Sequence, residues 1–230
     1  MTKNPETETP EEHARERARF AVLLLAMLLM QFGQVLMPSR VEGVLGPVLF
    51  TIVMLTALAV VAGTRRRMVV GTVLAILGCG LLVADALLQQ PTIRAAGSAV
   101  AVVFLAYAVV SILAYVYRAH RVDTNLIMGS LCVYILLAVI WGELYGLLET
   151  LQPGSLMLDN VGDARGTRAV LQYFSFVTIT TVGYGDIYPA SPLARATAAT
   201  EAILGQLYLV VLVARLVGLH TAQEAARRAS

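Results

Sequence analysis

Residues 167–186 read TRAVLQYFSFVTITTVGYGD, and their order decides what kind of chain this is. Thr167–Thr178 is apolar and aromatic, with Leu171, Tyr173, Phe174, Phe176 and Val177 in it. A helix that crosses a bilayer takes about 20 such residues, so this one enters and stops partway. After it come Thr180, Thr181, Val182, Gly183, Tyr184, Gly185 and Asp186. Two glycines alternate here with bulkier residues, which lets the backbone take positive φ at Gly183 and Gly185. Non-helical backbone at membrane depth is tolerated only where protein buries it or where it faces a water-filled path. Such a strand turns successive carbonyls toward one side while Val182 and Tyr184 pack to the other. A file of carbonyl oxygens can then replace the water shell of a bare cation.

The rest of the chain supplies the membrane. Of 230 residues, 58% are hydrophobic and only 14% charged, where an average globular chain is about a quarter charged. Six stretches are long and apolar enough to span: Phe20–Met37, Val44–Ala62, Met68–Leu88, Ser98–Tyr117, Asn125–Leu148 and Thr197–Leu219. They lack the alternating pattern of a transmembrane barrel, so the expected fold class is all-α: six transmembrane helices plus a re-entrant helix and its loop. Disorder is excluded by the apolar content. A nucleic-acid partner is disfavoured by a net charge of only +2 with no basic face. Cys79 and Cys132 sit in separate apolar runs, which excludes a disulfide framework or a cysteine-based metal cluster. The first span lacks a cleavage site and follows a mixed-charge preface, unlike a signal peptide.

Orientation follows from the basic residues. Twelve of the seventeen Lys and Arg fall on the side of both termini and five on the other. The termini are therefore expected in the cytoplasm, with the chain a multi-pass protein of the cell membrane. Between the fifth and sixth spans, Glu149–Gly166 is polar and carries the turn cluster Pro153-Gly154-Ser155. It reads as an external loop ahead of the re-entrant helix.

Thr181-Val182-Gly183-Tyr184-Gly185, between a short aromatic helix and Asp186 with Tyr188-Pro189 beyond, resembles the pore of the tetrameric potassium channel family. The resemblance covers about residues 122–222 and divides the chain into a tail (1–19), a four-helix domain (20–121), a pore domain (122–222) and a short tail (223–230). It implies that the carbonyls of Thr181, Val182, Gly183 and Tyr184 bind K⁺, with the Thr181 hydroxyl completing the innermost site and Gly185 closing the filter. It places Asp186 at the outer mouth, where four copies raise the local cation concentration. Filter support falls to Tyr173, Phe174, Val177 and Thr180. Val177 stands where some members carry a Glu that pairs with the Asp after the filter. Tyr173 and Phe174 stand where others carry tryptophans, and whether Tyr173 bonds to Asp186 or to Tyr184 is left open. One filter strand cannot ring an ion, so a homotetramer follows. No cofactor is implied beyond K⁺ as the permeant ion, and the composition hints at a bacterial source.

Six spans with the pore last match the layout of voltage-gated members. A voltage sensor needs several membrane-embedded basic residues, at about 2.3 kcal/mol per charge per 100 mV. Between Arg94 and Arg118 there is none, so an arginine-based sensor is rejected. Asp85 either reaches the interface or pairs with Arg94, or else senses protons or ions. Glu143 and Glu201 are read as hydrogen-bonding supports of the filter's surroundings, and Gln31 and Gln34 as interhelical partners. In the last span, Gly205 is either a hinge or a close-packing site. Leu209–Val213 reads as an apolar constriction, and Arg215 as a ligand for lipid phosphate. The tails are too short to fold a ligand-binding domain, which leaves a separate regulatory subunit open. His13, His120 and His220 have no nucleophile near them in sequence, so no enzyme is expected. Passive, selective K⁺ conduction is the leading reading. The alternatives are a membrane component of a K⁺ uptake system or a weakly selective cation channel.

Overall fold

The computed structural model describes residues 10–36, 39–61, 65–119, 121–158 and 168–229. The tail before residue 10, His120 and the 159–167 part of the polar connection lie outside the described residues, as do the side chains of His13 and Gln34. Among the described residues the regular structure is helical apart from one pair of short strands. The helices are α1 (Pro10–Leu36), α2 (Ser39–Val61), α3 (Arg65–Leu88), α4 (Pro91–Arg118), α5 (Thr124–Leu151), the 12-residue α6 (Arg168–Ile179) and the 38-residue α7 (Pro192–Ala229). The strands β1 (Leu156–Leu158) and β2 (Ile187–Pro189) bracket α6 and the loop that follows it.

Four helices, α3, α4, α5 and α7, are long and apolar enough to cross a membrane. The first two expected spans carry shorter described apolar segments, Ala18–Gly33 and Gly46–Val60. In α1 the apolar residues start only after two polar turns, and α2 opens with Ser39, Arg40 and Glu42. α6 rises only about 18 Å at 1.5 Å per residue, against about 30 Å of hydrocarbon.

Local chemistry sets the helix ends. Gln89 adopts a left-handed φ of 50° and its N–H returns to the Asp85 carbonyl at 2.9 Å, closing α3. Pro91 then opens α4 at a position where its missing N–H costs nothing. Arg94, one turn in, lies 3.4 Å from Asp85, so the ion pair is the reading of Asp85 that the structure carries. α5 starts on Asp123, whose carboxylate accepts from the Leu126 N–H at 2.8 Å.

The main core brings together buried residues of five helices, among them Met27 of α1, Phe50 and Met54 of α2, Phe104 of α4 and Leu136 of α5. α4 and α1 both lie against α5, so the four-helix part is seated directly on the helix that carries α6. A smaller core holds Tyr145, Leu156, Leu171, Phe174, Ile187 and Ala194, joining α5, both strands, α6 and the start of α7.

The strand pair departs from the expected irregular loop. β1 and β2 run antiparallel, with Met157 opposite Tyr188. Ser155 extends the pairing by accepting from the N–H groups of Ala190 and Ser191 at 2.8 and 3.2 Å. Glu149 holds the turn below it, taking the Gly154 and Leu156 N–H groups on its two oxygens at 2.7 and 3.2 Å. Three-residue strands carry no alternation to read, and their partners lie some thirty residues apart along the chain, so only tertiary context creates them.

Candidate functional site

The loop from Thr180 to Asp186 is built on the last turn of α6. A helix C-terminus leaves carbonyls without intrahelical partners, and here the loop's own amides serve them. Thr180 N–H donates to Phe176 O at 3.2 Å and Thr181 N–H to Thr178 O at 3.0 Å. Val182 and Gly183 both donate to Val177 O, at 3.0 and 3.3 Å. In a trans peptide the N–H points opposite to the carbonyl of the residue before it, and no cis peptide occurs among the described residues. The carbonyls of Thr180, Thr181 and Val182 therefore point away from α6.

Alternation continues this direction. φ is positive at Thr181 (60°), Gly183 (57°) and Gly185 (82°), every second residue. The two glycines accept that conformation freely. Thr181 is β-branched and does not, which stores about 1–3 kcal/mol of strain at the loop's first step. The sequence pointed to Gly183 and Gly185 but not to Thr181. Within one chain the whole stretch is open, with Tyr184 72% and Val182 51% exposed.

The far end of the loop is tied down. Tyr173 Oη donates to Asp186 Oδ2 at 2.8 Å, and Asp186 Oδ1 accepts from the Ile187 N–H at 3.1 Å. Of the two partners left open for Tyr173, Asp186 is the one it takes. Val177 acts through its carbonyl, not its side chain. Phe174 turns away from the loop and meets the Tyr145 ring edge-on at 4.9 Å. Thr180 folds its hydroxyl back onto Phe176 O at 2.6 Å.

A second set of contacts holds α6 against the long helices. Gln172 donates to Val139 O at 3.1 Å and Ser175 lies 2.7 Å from Ala138 O. Tyr134 donates to Ile179 O at 3.1 Å. Gly142 and Gly205 make room for this packing, because a Cβ at Gly142 would lie 2.5 Å from the Gln172 side chain and one at Gly205 2.5 Å from Ile179. The sequence reading singled out the aromatic residues of α6 and passed over Gln172 and Ser175. Their spacing of three, on one face of an otherwise apolar helix, was the available signal.

Both glutamates read as supports touch α6 and not the loop. Glu143, 2% exposed, receives Arg168 at the first turn of α6 (2.8 Å) and Ser98 of α4 (3.1 Å). The Arg168 guanidinium also lies 4.5 Å above the Phe50 ring. One ion pair thus joins α2, α4, α5 and α6. Glu201, fully buried on α7, meets Tyr145 of α5 and Ser175 of α6, each at 2.5 Å.

On α7, Gly205 is packed against the end of α6, and the helix is continuous through it. Val210, Val211 and Val213 are exposed within the chain, and Leu209 is half-buried. Arg215 has a different partner from the lipid phosphate expected. Its guanidinium donates to the carbonyls of Val116, Tyr117 and Ala119 at 2.8–3.1 Å and lies 5.1 Å from the Tyr117 ring. These carbonyls lie at the end of α4, where, among the described residues, only that of Val116 also receives a cap amide, from Ala119 at 3.3 Å, and a cation there suits the helix dipole.

No group of three His, Cys, Asp or Glu that could hold a metal occurs among the described residues. No curated protein matches the chain. Residues 131–221, which run from α5 through the loop to the last turns of α7, match a family model described as an ion channel. With four membrane-capable helices, that match supports a multi-pass membrane protein with a role in ion transport.

Proposed function

We propose that the protein is a potassium-selective channel in which four copies bring their Thr181–Gly185 loops around one axis. The observation that carries this reading is the alternating backbone: amides turned back onto Val177 O, positive φ at every second residue, carbonyls turned outward. A dehydrated K⁺ needs a cage of oxygens, and one chain offers a single file. Thr181, Val182, Gly183 and Tyr184 would give those carbonyls, and Asp186 would draw cations to the mouth. The rest of α7 favours assembly too. Only 6% of its most apolar window is buried within the chain, against 50% for α5. Its exposed Ile203, Leu207 and Val210 suit neighbouring copies and the cavity they enclose. With no arginine between Arg94 and Arg118, conduction would not follow voltage through a charged fourth helix. The excess of Arg and Lys on one side of the spans would hold both termini in the cytoplasm.

The test is flux from liposomes loaded with K⁺ or Na⁺, alongside the mass of the purified particle. A tetramer that passes K⁺ and rejects Na⁺ is expected, with Gly183→Asp silent because a φ of 57° is strained for any residue with a side chain and the backbone would shift. Equal Na⁺ flux, or selective K⁺ flux through Gly183→Asp, refutes the assignment.

A further inference from the structure

The contacts of Glu201 do not balance if it is a carboxylate. Ser175 Oγ lies 2.7 Å from Ala138 O and 2.5 Å from Glu201 Oε1. A serine hydroxyl has one hydrogen, and a carbonyl and a carboxylate have none to give. One of the two contacts would then be an oxygen–oxygen approach with no proton between. Tyr145 does not relieve the shortage, because its hydrogen is spent on Glu201 Oε2 at 2.5 Å.

A proton on Glu201 Oε1 settles the count. Glu201 then donates to Ser175 Oγ, Ser175 donates to Ala138 O, and Tyr145 donates to Glu201 Oε2. Each of these contacts has one hydrogen, and each hydroxyl is both donor and, where needed, acceptor. The surroundings agree. Glu201 is 0% exposed, and an uncompensated charge in such a place neutralises itself. α5 presents Tyr145 at contact and Tyr134 within electrostatic reach. α6 presents Ser175. β2, also packed on α7, consists of Ile187, Tyr188 and Pro189 and carries no charge, and the charged contact of α7 with the end of α4 is made by Arg215, fourteen residues further along the helix. On α7 itself the residues one turn away, Thr197, Ala198, Leu204 and Gly205, are uncharged.

We infer that Glu201 is a positioning residue held as a neutral carboxylic acid, and that its proton ties α7 to α6 behind the loop. This rests on the channel reading only for its functional consequence. Ser175 lies on the turn of α6 just before Val177 and Thr178, whose carbonyls receive the loop amides. Removing the proton converts a donor into an acceptor and leaves the Ser175 oxygen against either the carboxylate or the Ala138 carbonyl with no hydrogen between them. The loop's platform then loosens as the medium becomes alkaline.

The experiment is an infrared difference spectrum of the purified protein in lipid, wild type against Glu201→Gln, at neutral pH. A carbonyl band of a hydrogen-bonded carboxylic acid is expected in the wild type and lost in the variant. Ser175→Ala, which keeps the acid and removes its acceptor, should move that band to the higher frequency of a free acid. In liposomes, wild-type K⁺ flux should fall on alkalinisation while Glu201→Gln, whose amide can still donate to Ser175 and accept from Tyr145, keeps its neutral-pH flux throughout. A carboxylate band in place of the acid band overturns the inference, as does a wild-type pH profile equal to that of Glu201→Gln. An acid band in a protein that passes no K⁺ would sink the channel and leave the neutral Glu201 standing.

Discussion

Gly205 separates two accounts of α7, and substitution by alanine decides between them. A Cβ at this position would lie 2.5 Å from Ile179 Cγ1 and 3.1 Å from the Ile179 carbonyl oxygen, where carbon atoms normally rest 3.5–4.0 Å apart. Ile179 has little room to retreat: it is fully buried, and its carbonyl is held by Tyr134. Overpacking of this kind costs about 1–3 kcal/mol, and alanine returns about 1 kcal/mol as the better helix former. A net loss of up to about 2 kcal/mol is therefore expected for Gly205→Ala. Ile179→Ala alone should cost about 2–5 kcal/mol by opening a cavity. In the double variant the new methyl enters that cavity, so the two losses should fall short of their sum by about 2 kcal/mol. The assay is denaturant unfolding in micelles for all four proteins, with K⁺ flux measured alongside. If Gly205 is needed as a flexible joint instead, Gly205→Ala leaves stability unchanged or raised, flux falls, and truncating Ile179 restores nothing. Losses that add to within about 0.5 kcal/mol would refute the packing account.

Three further outcomes follow from the contacts around α6 and α4. Glu143→Gln strips the partner from Arg168 and should destabilise by about 3 kcal/mol, whereas Glu143→Gln combined with Arg168→Met should recover most of it; unfolding midpoints of the single and double variants check this. Tyr173→Phe removes a hydrogen bond to a carboxylate worth about 1.5–3 kcal/mol, so K⁺ flux should decay faster under sustained conduction while K⁺ over Na⁺ selectivity holds; an unchanged time course would show the bond idle. Arg215→Gln leaves carbonyls at the end of α4 without their cation, and amide exchange at the last turn of α4 should rise, with α5 unaffected.

What could be read from the sequence and what could not divides along one line. The short aromatic helix, the glycines that take positive φ and the long apolar segments are local signals: each rests on composition or spacing within a few residues. The supports of α6 are not local. Arg168 meets Glu143 across 25 residues, Ser175 meets Glu201 across 26, and Arg215 reaches the end of α4 from nearly a hundred residues away. An isolated polar residue in an apolar helix announces that it has a partner, since the bilayer offers none, but it does not say which one. Glu143 and Glu201 were legible as supports for that reason, and Arg215 was misread because lipid phosphate is the default partner of an arginine near a span's end. The positive φ of Thr181, named as a filter residue, was not foreseen, because it runs against the preference of a β-branched residue.

The same comparison explains why α6, the shortest helix, has polar ties along its whole length. At its first turn Arg168 is held by Glu143, which Ser98 ties to α4; in its middle Gln172 and Ser175 reach α5 and α7; at its end Tyr134 and Gly205 fix Ile179. A 12-residue helix is marginal alone, and a loop strained at Thr181 adds to what its last turn must withstand. Burial of apolar area is non-directional and would let such a helix slide or rotate on its neighbours by a fraction of an ångström at small cost. Hydrogen bonds and one ion pair at successive turns fix both rotation and depth. The proposed site of backbone oxygens would have no side-chain rotamers with which to correct a misplaced ligand, so the accuracy of its geometry would be inherited from the helix beneath it.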